Sequence, residues 1–304
     1  MVGFAGLQIR RAVGGLAGEL SMGTKVTLTA ADGFQLGAYR VEPKGVPRGG
    51  VVVIQEIFGV NHHIRSVCDR LADAGFRAMA PQVFDRMIPD FESGYSEAEI
   101  ASAREFIPRL DWAKLMLDAS AAVDALKKEG GPVAMIGFCM GGTVAFIAAT
   151  RLGGLAASVC YYGGQILRFA DNKPRCPVQM HFGEKDASIT AGDVEAIRQK
   201  RPECEVYIYP GAGHAFNRDE GLSYEPNSAR LAWQRTLVFL AKALGSARLR
   251  PAAAAKSMPP KVGSAMRSKL KSASTSKKPS RPKTRIGAAG KKRTKPKAGK
   301  KSRH

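Results

Sequence analysis

Residues 137–142 read GFCMGG. An apolar run, PVAMI at 132–136, leads into them, and a small-residue helical pattern, GTVAFIAATR at 142–151, follows. Strand, sharp turn and helix around a G-x-C-x-G are the setting of a nucleophile elbow, with Cys139 as the reactive group. The flanking glycines have a steric reason. A Cβ at Gly137 or Gly141 would press on the neighbouring strand and helix of a strained turn. The turn aims the thiol at the N-terminus of the following helix, where the helix dipole favours a thiolate. The competing reading is a buried structural cysteine between two glycines, and the rest of the chain weighs against it.

The charge is unevenly spread. Of 47 Lys and Arg residues, 20 fall within 246–304, a stretch with no Asp or Glu, so nearly all of the net +21 sits there and residues 1–245 are close to balanced. The economical division is a poorly ordered extension at 1–21, one α/β domain at 22–245 with room for a sizeable core, and a basic tail at 246–304. The folded part starts near Met22, which makes Met1 and Met22 alternative starts. The five cysteines are Cys68, Cys139, Cys160, Cys176 and Cys204. An odd count without a CxxC suggests free thiols in a reducing compartment, and a cytoplasmic location is expected. No apolar run approaches the ~18 residues of a membrane span, so no membrane association is expected. The first residues lack the continuous apolar core of a signal peptide.

Outward from the elbow, residues 25–30 (KVTLTA) alternate, Asp32-Gly33 supplies a turn, and 35–41 (QLGAYRV) form the return strand of a hairpin. The β-branched run 51–55 (VVVIQ) predicts a strand buried on both faces. A helix over 61–74 ending at Gly75, a strand at 77–80 and a helix over 111–129 stopped by Gly130-Gly131 follow. Between the last two, 81–108 reads as an irregular crossover that covers a pocket. Beyond the elbow, strands are expected at 155–162, 178–182 and 205–209, with helices at 192–201 and 228–244. Strands alternating with helices mean a mainly parallel sheet with right-handed crossovers and helices on both faces.

A thiol nucleophile needs a base, and the base needs an orienting acid. Of the five histidines, His304 lies in the tail, His181 sits inside an apolar strand and reads as packed, and His62 and His63 open a helix and read as solvated. His214 lies in PGAGHAF, a glycine-rich loop between the last strand and the last helix, where such sheets carry their chemistry. It is the expected base. The acid is expected after a strand between Cys139 and His214. Asp186 at the tip of FGEKD fits; Glu184 competes, and a plain turn-former is the bland reading of Asp186. The order Cys139, Asp186, His214 is that of nucleophile, acid and base in the α/β-hydrolases.

Five segments in register, QEIFGVN (55–61), GFCMGG (137–142), YYGG (161–164), the GxxD ending at Asp186 and AGHAFNR (212–218), together resemble the dienelactone hydrolase (carboxymethylenebutenolidase) family over about 25–244. The resemblance implies an α/β-hydrolase fold and a cysteine-dependent hydrolase that opens lactones through a thioester. It implies that Glu56 contacts and helps to activate the cysteine. It also implies an oxyanion hole from the backbone N–H groups of Ile57 and Met140. Carboxylate binding falls to Arg86 in VFDR and to Arg218, four residues past the histidine. Guanidinium forks suit a carboxylate, although either arginine could instead lie on the surface. A tyrosine of YYGG lines the family pocket; Tyr161 aligns better, and a slip of one residue exchanges it with Tyr162. Ala215 departs from the family, where a small polar residue can follow the histidine. No cofactor and no metal is implied, and the cysteines other than Cys139 show no ligand spacing.

The expected partner is a small anionic lactone or ester, and a monomer is expected. An esterase or thioesterase acting on another anionic ester is the nearest alternative. The tail, with SKKPSRPKTR and KKRTKPKAGKKSR, cannot bury a core. It suits non-specific, salt-sensitive nucleic-acid binding without base stacking, since it has no aromatic residue. A different class of reading, a nucleic-acid-associated protein with a passenger fold, rests on this tail alone, and a solvated appendage without a partner is the bland one.

Overall fold

The structure is a computed structural model that describes residues 23–245. The expected extension at 1–21 and the basic tail at 246–304 lie outside the described residues. Alternation in the first segment gives the hairpin of β1 (Thr24–Thr29) and β2 (Gln35–Val41), paired antiparallel through Leu28↔Leu36. β3 (Gly50–Ile54) is buried at every position, as a β-branched run in a sheet covered on both faces should be. α1 (His62–Asp73) starts where the Asn61 side chain accepts the Ile64 N–H and ends before Gly75, which takes the left-handed conformation (φ +90°). β4 (Arg77–Pro81) follows.

The 81–108 crossover is more ordered than its composition suggests. It contains α2 (Glu97–Arg104), set by a capping box between Ser96 and Glu99, and a single 3-10 turn (Ile107–Arg109). α3 (Trp112–Lys128) is capped by Asp111. β5 (Val133–Phe138) runs into the elbow and α4 (Met140–Arg151) leaves it, buried on all sides from Met140 to Thr150. β6 (Ala157–Tyr161), the short α5 (Ile166–Phe169), β7 (Val178–Gly183), α6 (Ala191–Lys200), β8 (Glu205–Tyr209) and α7 (Pro226–Leu244) complete the described chain.

The sheet has eight strands in the order β1-β2-β4-β3-β5-β6-β7-β8. Only the β1–β2 and β2–β4 pairings are antiparallel; the rest are parallel. This is the mainly parallel sheet the alternation predicts, in the α/β-hydrolase order the family resemblance implies. β3, β5, β6 and β7 are buried throughout, whereas β8, at the edge, is only half-buried. α1 and α7 meet where Arg70 stacks on Trp233, 4.6 Å from the ring centre, and α3 meets α5 through Trp112 and Phe169. No helix among the described residues is long and apolar enough to cross a membrane.

Candidate active site

The ends of the parallel strands carry the candidate residues. Ile54 pairs with Gly137 across β3 and β5, so Glu56 and Cys139 leave adjacent strands at the same level. Gly183 pairs with Tyr209 across β7 and β8, so the loops carrying Asp186 and His214 start side by side. These are the loops at the carboxyl ends of the strands, where open α/β sheets bind their ligands.

The elbow is strained in the expected manner. Cys139 has φ 53° and ψ −116°, outside the usual range for a residue with a side chain. A Cβ on Gly137 would lie 1.9 Å from the Gly141 carbonyl oxygen, and one on Gly141 would lie 2.3 Å from the Ile54 oxygen. Helix and strand approach so closely that only glycine fits at both places. The Cys139 N–H donates to the Tyr161 carbonyl at 3.0 Å, tying the turn to β6.

His214 bridges Cys139 and Asp186. Its Nε2 lies 3.2 Å from Cys139 Sγ, and its Nδ1 lies 2.7 Å from Asp186 Oδ2. The other Asp186 oxygen accepts the Ser188 N–H at 2.9 Å and the Ser188 hydroxyl at 2.7 Å. Burial alone would raise the pKa of Asp186, but His214 and Ser188 outweigh it and hold the carboxyl below its ordinary value. For His214, burial disfavours the charged ring, but Cys139 and Asp186 on its two nitrogens prevail and raise its pKa to about 10. Glu184, the competing acid, instead accepts the Gly211 N–H at 2.8 Å and holds the same loop from its other end. Ser188 was not anticipated, although an Asp followed two residues later by Ser is an Asx-turn signal.

Glu56 is almost fully buried, and neither of its oxygens has a hydrogen-bond partner among the described residues. Its neighbour is Arg218, with Nη1 3.5 Å from Glu56 Oε2. The Arg218 guanidinium lies over the rings of Tyr95 (4.2 Å) and Phe58 (5.3 Å), and its Nε is buried without a partner. The Tyr95 hydroxyl accepts the Asn61 side-chain N–H, so the crossover at 81–108 does close over this part of the crevice. Met140 is the first residue of α4, where a backbone N–H has no intrahelical acceptor. The Gly141 contact with the end of β3 brings that helix start beside the segment bearing Ile57.

Three expectations need correction. Tyr161 points away from the crevice. It is fully buried, stacks on His181 at 4.4 Å and shares a hydrogen bond of 2.8 Å with Thr236 of α7. Consecutive residues at a strand end face opposite ways, and Tyr162 is the one at the site. It adopts φ 38°, its ring is 5.2 Å from that of His214, and its buried hydroxyl has no partner. Burial, then the charge of Glu56, holds the Tyr162 phenol well above its ordinary pKa.

Arg86 is likewise absent from the crevice cluster. Its Nε and Nη2 donate to Asp118 of α3, Nη1 and Nη2 donate to Asp32 of the hairpin turn, and the guanidinium covers Phe34. Two carboxylates leave it little capacity for a third. His63 is not solvated: it is fully buried, with Nδ1 3.1 Å from Asp219, while the exposed His62 pairs with Glu220. These two pairs pin the loop carrying Arg218 to the start of α1. His181 is packed as expected, and burial lowers its pKa to about 3. Ala215, where the family can carry a small polar residue, has φ 61° and is buried.

A family model described as "Dienelactone hydrolase family" matches residues 36–244. A Synechocystis protein named "Putative carboxymethylenebutenolidase" is 34% identical over 66% of this chain and 89% of its own length. A Bradyrhizobium protein named "Probable 2-oxo-3-(5-oxofuran-2-ylidene)propanoate lactonase" is 34% identical over 62% of this chain and 82% of its own. Among solved structures, a "Putative Dienelactone Hydrolase" from Klebsiella pneumoniae superposes with a TM-score of 0.64 at 30% identity, covering 72% of this chain and 99% of the other. With the sheet order and the elbow already in place, the chain belongs to the dienelactone hydrolase family and is a carboxylic ester hydrolase of the α/β-hydrolase fold.

Proposed function

We propose that the protein opens small anionic lactones of the dienelactone type by acyl transfer to Cys139. The observation that carries this reading is the unbroken contact from Cys139 Sγ through His214 to Asp186, at 3.2 and 2.7 Å, on a strained elbow. The Cys139 thiolate attacks the lactone carbonyl carbon while the oxyanion accepts the Ile57 and Met140 N–H groups. As the tetrahedral adduct collapses, the ring C–O bond breaks. The chain is left as a thioester, and the departing oxygen is an enolate that takes the proton of the His214 imidazolium, leaving the ring neutral. His214, oriented by Asp186, then removes a proton from water. The hydroxide attacks the thioester carbonyl, and the carboxylate product leaves as the Cys139 thiolate re-forms.

Glu56 and Arg218 divide the remaining work. A buried carboxylate with no hydrogen bond is costly, so Glu56 is poised to accept one. The thiol of Cys139 before its activation is the proton donor the family resemblance assigns to it. Arg218, with a free Nε and a 3.5 Å contact to Glu56, is the cation left to receive a substrate carboxylate. The lactone in the name of the Bradyrhizobium relative carries such a carboxylate. Tyr162 lines the same space, and Arg86 has no part in this reading. The deciding experiment is a hydrolysis screen of cis- and trans-dienelactone beside neutral p-nitrophenyl esters. Faster turnover of the anionic lactones supports the reading; a preference for neutral esters shifts it to a general esterase.

A further inference from the structure

Outside the catalytic crevice, α1, α7 and the loop between β8 and α7 enclose a second concavity of about 230 Å³, lined by Arg70, Asn217, Asp219, Tyr224, Ala229, Arg230 and Trp233. Its polar groups are unusually idle. Asn217 is only 2% exposed, yet neither its amide nitrogen nor its amide oxygen has a hydrogen-bond partner among the described residues. Nε and Nη2 of Arg70 are also buried without partners. Those two atoms form one edge of the guanidinium, the edge that receives a carboxylate through two parallel hydrogen bonds. In Arg86 of the same molecule that edge is occupied by Asp118, with Nε and Nη2 at 2.9 and 2.8 Å from its oxygens. In Arg70 the plane is held by stacking on Trp233, and the edge has no protein acceptor.

The charge of the cavity points the same way. Two arginines, Arg70 and the exposed Arg230, line it beside one carboxylate, Asp219, and that carboxylate is already engaged by His63 at 3.1 Å. A buried amide with both ends unsatisfied asks for a ligand that both accepts and donates. We propose that this cavity binds a small hydroxycarboxylate. Its carboxylate lies on the Nε–Nη2 edge of Arg70 with Asn217 Nδ2 as a further donor, its hydroxyl donates to Asn217 Oδ1, and its carbon atoms pack on Trp233 and Tyr224. The argument uses no feature of Cys139 or His214 and stands apart from the proposed lactone chemistry.

The chain has two tryptophans, so Trp112→Phe leaves Trp233 as the sole reporter within the cavity. Lactate titrated into that full-length variant should change Trp233 emission saturably. Sodium chloride at equal ionic strength should not, and propionate, which lacks the hydroxyl, should bind several-fold more weakly. Calorimetry should show lactate affinity falling at least tenfold in Arg70→Gln and in Asn217→Leu, with kcat for ester hydrolysis retained. If Asn217→Leu does not fold, the exposed Arg230→Gln joins Arg70→Gln as the second variant. The proposal is overturned if the wild type shows no saturable response, in which case the cavity holds water only. It is equally overturned if lactate affinity is the same in the wild type and the arginine variants.

Discussion

Arg86 and Arg218 enter the sequence on equal terms, each a basic residue in a loop at a strand end, and the structure treats them oppositely. Arg86 joins the hairpin to α3 through two carboxylates, one of them on Asp118, whose side chain is fully buried. Arg218 has one carboxylate at 3.5 Å, two aromatic faces and a buried Nε without a partner. The first is electrostatically saturated and holds the fold together. The second is held in place with capacity to spare, which suits a binding group. What separates them is the number of acidic neighbours, and those neighbours come from distant parts of the chain.

Four predictions break or sharpen this contrast between holding and working groups. The largest effect belongs to Cys139→Ala. Loss of a covalent nucleophile should lower turnover by roughly 10⁴-fold or more, since units of this kind act together. Circular dichroism and melting temperature should stay near wild type; hydrolysis near the wild-type rate would sink the thioester mechanism.

Asp186→Asn comes next. It keeps the shape but removes one of the two charges that raise His214 to about 10 from an ordinary 6.5. A turnover loss of roughly 10²-fold or more is expected, because an oriented general base contributes on that order. The alkaline limb of kcat/KM should move to lower pH. The sign for stability follows from the same shift. A group with a raised folded-state pKa contributes stability that is complete below its ordinary value and fades as pH rises toward the raised one. The variant should therefore lose part of the pH dependence of its melting temperature between about pH 6.5 and 10. An unmoved alkaline limb would detach Asp186 from the base.

The arginine pair should split cleanly. Arg218→Ala should lower kcat/KM for anionic esters by roughly ten- to a hundredfold more than for neutral ones, the worth of a charge-assisted hydrogen bond of about 1.5–3 kcal/mol; any loss shared by both classes reports the unpaired Glu56. Arg86→Ala should leave that selectivity alone. It should instead destabilise the fold by about 3–5 kcal/mol, because the buried Asp118 carboxylate is left unpaired. Chemical denaturation together with a substrate-charge series measures both, and the reverse assignment would restore Arg86 to the site.

The smallest effect on catalysis is expected from removing residues 246–304. The closing helix ends at Leu244 and every proposed site residue precedes it, so kcat and KM for a small lactone should scarcely change. The same deletion should remove retention on duplex nucleic acid at low salt, a retention in the intact chain that falls steeply as salt rises. Lost hydrolysis would make the stretch part of the active unit. Absent retention in the intact chain would leave it as a solvated appendage.

By itself the sequence determined what local chemistry controls. Period-two and helical apolar patterns marked the strands and most helices, and glycines closed them. The G-x-C-x-G turn named Cys139, because two glycines are the only residues that let β5, α4 and the end of β3 approach so closely. Strand-end loops in the right order offered Asp186 and His214, two side chains that meet at 2.7 Å in the fold. The Ser96–Glu99 capping box was also there to be read inside the crossover, and composition obscured it. Tertiary structure alone decided which partners meet. Tyr161 and Tyr162 differ by one residue at a strand end, and the face each takes depends on α7 supplying Thr236 on one side and His214 standing on the other. Arg86 is set by Asp32 and Asp118, and the buried His63 by Asp219, 156 residues away in sequence. The physical reason is common to all of these. Backbone conformation depends on near neighbours, whereas the state of a charge or a ring depends on what the fold places within a few ångströms of it, and no local pattern encodes that.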